Sequence, residues 1–99
     1  MADVATFQAL ARDLRRYSAA REWERLQATD ALLRRAWQRA SAPDARSEAL
    51  AQAMADVLVA HAQAQAIARR AAADARRRLG ELGPWRDGAL GYLRMNDDR

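Results

Sequence analysis

Apolar residues recur along this chain at helical spacing. Val4, Phe7, Leu10, Leu14 and Tyr17 fall every three to four residues. They predict an amphipathic helix over about residues 3–17, with Asp3 as its N-cap. A second stripe, Ala19, Trp23, Leu26, Asp30, Leu33, Trp37 and Ala40, alternates spacings of four and three, the seam of a heptad. It predicts a helix over about 20–40. The two stripes are out of phase by one residue, which rotates the apolar face by roughly 100°. A break is therefore expected near Ser18 to Ala20, although neither Gly nor Pro marks it. Without that break, residues 3–40 would form one helix and the chain a long two-helix hairpin, which is the alternative architecture.

The stretch SAPDARSE is the clearest turn. Pro43 disfavours helix at Ala42, and Ser41 or Asp44 is expected to cap the next helix, with Glu48 in its first turn. A third stripe runs through Leu50, Met54, Val57, His61, Ala64, Ala68, Ala71 and Ala75, then Leu79 and Leu82 one step over, with Leu58 widening it. It predicts a helix over about 45–82 that overhangs the second. Gly80, Gly83 and Pro84 end it, and Trp85, Leu90 and Tyr92 fall in a short C-terminal segment, about 84–94. The expected fold is all-α: one domain over residues 1–99, an antiparallel three-helix bundle with a short C-terminal helical extension.

Composition agrees with helices and limits the core. Of the 51% hydrophobic residues about half are alanine, 26 in all, so large apolar side chains are scarce. A chain of 99 residues with such a core leaves room for partner chains, including a second copy, to contribute stability. All 17 basic residues are arginine, which fits codon bias in a GC-rich genome. The net charge is +4, but 13 acidic residues are interspersed with the arginines. That argues against nucleic acid, which would favour a positive surface with few carboxylates. The densest basic cluster, Arg69, Arg70, Arg76, Arg77 and Arg78, reads as a solvated helix face, with an acidic protein partner next. No uncharged run is long or apolar enough to span a membrane, and no apolar signal segment opens the chain. With no cysteine, a reducing, cytoplasmic setting is the expectation.

Enzyme signatures are missing. There is one histidine, no cysteine, no Gly-rich phosphate loop and no metal-ligand spacing, so neither catalysis, nor a cofactor, nor a small-molecule substrate is expected. Three features carry two readings each. Trp23 and Trp37 fill the core, or one of them anchors a partner. Asp30, a carboxylate on an apolar seam, reaches solvent or pairs with Arg34 one turn later, or it fixes register or oligomer state. His61 is a satisfied structural histidine rather than a metal ligand, and it faces Asp30 if the second and third helices are antiparallel neighbours. The seam of the bundle is thus Trp23, Leu26, Asp30, Leu33, Trp37, Val57 and His61.

AREWERLQATDALLRR resembles the second-helix motif of flagellar type III export chaperones of the FliT type. There a small residue and a Trp open the helix, a Leu follows at the next turn, and an acidic residue stands seven after the Trp. In this chain these are Trp23, Leu26 and Asp30. MADVLVAHAQAQAIARRAAADARRRLGEL is similar to the family's third helix, with His61 at its small polar position. GALGYL is similar to its closing segment through Gly88, Ala89, Leu90 and Tyr92, with tighter spacing. The resemblance spans about residues 3–93. It implies a cytoplasmic, all-helical chaperone that holds the flagellar filament-cap protein before export. It also implies contact with the export ATPase apparatus and, in some members, with a flagellar regulator. The client surface is expected at the far end of the third helix, with Ile67, Arg70, Arg77, Trp85, Leu90 and Tyr92. The alternatives are a helical adaptor or coiled-coil structural module, and a small basic nucleic-acid-binding regulator.

Overall fold

The computed structural model describes residues 3–40 and 46–82, and these are all-helical, with three helices and no strand. Helix α1 is Val4–Ala19, α2 is Trp23–Arg39 and α3 is Glu48–Glu81. With 34 residues, α3 is twice the length of α2, which has 17. The chain divides into two compact units inside α3, Met1–Ala68 and Arg69–Arg99. The expected C-terminal segment at 84–94 lies outside the described residues.

Helix α1 begins as its sequence requires. Asp3 is the N-cap, and its Oδ1 accepts from both the Thr6 amide and the Thr6 hydroxyl at 2.9 Å. This satisfies one of the donors that every helix start leaves open. The phase slip does mark a break, slightly later than the stripes alone suggest: α1 ends at Ala19 and α2 starts at Trp23. Glu22 N donates to Tyr17 O at 2.9 Å and Arg21 N donates to Ser18 O at 3.2 Å. This 6→1 and 5→2 pair of bonds is a Schellman motif. It needs a left-handed residue just past the helix, and Arg21 holds that position at φ 57°. An arginine thus stands where glycine usually would, which is why no glycine announced the turn.

The start of α3 corrects an expectation. Ser47 directly precedes the helix, and its Oγ accepts from Leu50 N at 3.0 Å, while the expected caps Ser41 and Asp44 lie outside the described residues. The helix begins at Glu48, and an N-cap must directly precede the first helical turn to reach its amides.

The buried side chains of the first unit form one cluster. Helix α1 gives Phe7, Leu10, Ala11 and Leu14, α2 gives Leu26, Leu33 and Ala36, and α3 gives Leu50, Ala53, Met54, Val57, Ala60 and Ala64. Phe7, Val57 and Ala60 are completely buried. Phe7 meets Trp37 edge-on, with ring centroids 6.0 Å apart, while the guanidinium of Arg25 lies over the Tyr17 ring. The start of α1 therefore touches the end of α2, and the end of α1 touches the start of α2. Two hydroxyls are buried in this apolar setting, and each bonds locally. Ser18 Oγ donates to Arg15 O and Thr29 Oγ1 donates to Arg25 O, so neither is left unsatisfied.

In the second unit, the described residues 69–82 carry the end of α3. Leu79 and Leu82 are exposed there, and Arg77 pairs with Asp74.

Candidate interaction surface

The inward face of α2 differs from the expected seam. Leu26, Thr29, Leu33 and Ala36 are its buried residues. At about 100° per residue, their centre lies roughly 80° from the centre of the Trp23–Asp30–Trp37 line. The burial of the small Thr29 and Ala36 turns the inward face to their side, and Trp23 is left at its margin. Trp23 is therefore not core. It is 37% exposed and stands outside the buried cluster, which corrects its place in the seam. Trp37 is half-buried, packed on the cluster through Phe7. Leu26, Leu33 and Val57 are buried as expected.

On α3 the face is likewise turned, toward Ala53 and Ala60. Leu58 is consequently 50% exposed rather than part of the packed stripe. Leu32 and Val59 are also exposed large apolar residues in this unit. Nothing in the helical spacing had singled them out, because both lie off the seams.

Asp30 and His61 meet. His61 Nε2 lies 2.7 Å from Asp30 Oδ1, and since a carboxylate only accepts, the ring nitrogen carries the proton and donates. Arg34, one turn along α2, reaches Asp30 Oδ2 at 3.0 Å. Each carboxylate oxygen therefore has a charged or polar donor, and the local pair with Arg34 and the cross-helix contact expected of His61 are present together. The side chains of Asp30 and His61 are 22% and 32% exposed, so the pair sits at the edge of the core rather than inside it. Among the described residues no group of three or more His, Cys, Asp or Glu side chains is placed to hold a metal ion.

Of the residues expected at the far end of α3, Ile67 is half-buried in the first unit. Arg70 and Arg77 are exposed in the second, where Arg77 is engaged by Asp74. Trp85, Leu90 and Tyr92 lie outside the described residues. No described helix is long and apolar enough to cross a membrane. No family model, curated protein or solved structure matches the chain.

Proposed function

We propose that this protein is a non-catalytic helical chaperone that binds the flagellar filament-cap protein in the cytoplasm before type III export. The observation that carries the reading is the exposure of Trp23. It is the residue on which the resemblance to export chaperones begins, and packing within the chain does not use it up. Tryptophan is costly to leave in water and is enriched among residues that dominate protein–protein binding. Asp30, the acidic residue of the same motif, has its oxygens bound by His61 and Arg34, which suits a structural part beside a docking residue.

We read the arrangement as an antiparallel three-helix bundle. The end-to-end pairing of α1 with α2 and the Asp30–His61 bond between α2 and α3 support it. Such a bundle receives an amphipathic client segment by helix-in-groove docking. Contact with the export ATPase, and a homodimeric resting state, belong to the same proposal.

The test is co-purification and titration with the C-terminal helical segment of a filament-cap protein. A stoichiometric complex that Trp23→Ala weakens by about thirtyfold or more, a loss on the hot-spot scale, is the expected result. Absence of a complex refutes the reading. A stable oligomer without a client would leave a structural module, and steeply salt-dependent duplex binding would leave a nucleic-acid-binding regulator.

A further inference from the structure

A cleft of about 370 Å³ opens between α1 and α3. Ala11 and Ala53, both nearly completely buried, form its floor. Ala5 and Gln8 flank it, Arg12 and Arg15 stand on its α1 side, and Asp56 stands on its α3 side. Ala5, Gln8, Arg12 and Arg15 follow one another at spacings of three and four, so they share one line along α1, beside its buried face.

Like Arg16 and Arg35, these two arginines form no ion pair among the described residues, whereas Arg25 has Glu22 and Arg34 has Asp30. They are one turn apart, about 4.5 Å along the axis, which is also the separation of two carboxylates one turn apart on a docked helix. An arginine receives a carboxylate through two parallel hydrogen bonds. The alanine floor lets a second helix approach closely. Across the cleft, Asp56 accepts from Gln52 at 3.0 Å and keeps further acceptor capacity for a cation.

We propose that this α1–α3 cleft docks an acidic amphipathic helix of a partner protein. Two carboxylates of that helix engage Arg12 and Arg15, its small residues lie on Ala11 and Ala53, and a basic residue meets Asp56. The unequal charge of the two walls sets the direction in which the helix lies. A free phosphate would use the arginines but not the apolar floor, and a nucleic-acid backbone would meet Asp56 unfavourably. This surface lies on a different helix pair from Trp23, so it stands independently of the client proposed above.

The test uses the full chain, isotopically labelled, titrated with a designed alanine-based helical peptide carrying two Glu one turn apart and one Arg on the opposite edge. Amide shifts confined to Ala11, Arg12, Arg15, Ala53, Asp56 and their neighbours are expected. So is a loss of about tenfold in affinity for the Arg12→Gln, Arg15→Gln double variant. Both side chains are exposed, so folding should be unaffected, and an unchanged thermal melt checks this. Arg12→Glu with Arg15→Glu should instead prefer the same peptide with Lys in place of Glu. The proposal is overturned by equal binding of a Glu→Gln peptide, by shifts centred elsewhere, or by inorganic phosphate producing the same shifts. It is equally overturned if sedimentation shows a dimer that the double glutamine variant dissolves, since a second copy would then be the occupant.

Discussion

His61 Nε2 donates to Asp30 Oδ1 across 2.7 Å and so joins α3 to α2 through two residues 31 positions apart. The bond is short, charge-assisted and only partly exposed, which places it above an ordinary surface pair. A double-mutant cycle with Asp30→Ala and His61→Ala is expected to give a coupling of about 1 kcal/mol in urea unfolding. Arg34→Ala should cost no more than about 0.5 kcal/mol, because that pair is an exposed neighbour on one helix. Additive effects of the first two substitutions would remove the bond from the folded state in solution.

Arg21 holds a left-handed conformation that an L side chain adopts at a cost. Arg21→Gly should therefore raise stability by about 0.5–1 kcal/mol, the relief exceeding the extra freedom glycine gains in the unfolded chain. Arg21→Pro should do the opposite, since proline cannot take a positive φ and removes the amide that Ser18 O accepts. The urea midpoints of the two variants, moving in opposite directions, check the turn.

The two tryptophans of α2 should separate in their effects. Trp37→Ala removes the edge contact with Phe7 and opens a gap beside the core, and it is expected to cost about 2–3 kcal/mol, somewhat less than a fully buried ring. Trp23→Ala should cost under about 1 kcal/mol, because the ring lies outside the buried cluster. Equal losses in denaturant melts would return Trp23 to the core.

Asp3 titrates below the ordinary carboxylate range, chiefly because the Thr6 amide donates to its charged form, with the Thr6 hydroxyl adding to this. Its value is thus lower in the folded than in the unfolded chain. The stabilisation is present above the unfolded value and is lost as pH falls through the folded one. Hydrogen exchange at the Thr6 amide should accelerate, relative to the intrinsic rate, across that acid window. In Asp3→Asn, which can still cap, this step should vanish.

Three helices and the Asp3 cap were legible from the sequence, because helical periodicity and capping residues are strong signals, while the Asp30–His61 contact followed only on taking the second and third helices as antiparallel neighbours. The α1–α2 break was legible only as a phase slip. Its usual marker is glycine, and Arg21 took the position instead. What periodicity did not resolve was which side of each stripe faces inward. In a chain so rich in alanine, Ala36, Ala53 and Ala60 count as weakly apolar in a pattern, yet small size is what permits close packing. They displaced Trp23 and Leu58 outward. The α1–α3 cleft was invisible for a related reason: Arg12 and Arg15 look like ordinary surface residues until the helix opposite them is known.

Ala53 and Ala60 of α3 stand seven residues apart, as do Val57 and Ala64. Sliding this helix by two turns, about 10.5 Å, would lay Ala53 where Ala60 was, but it would also put Leu50 in the completely buried position of Val57 and Val57 in that of Ala64. The slide would also take His61 away from Asp30 and leave a partly covered carboxylate short of a donor. The apolar volumes of the core and one polar bond at its edge thus disfavour the same displacement of α3.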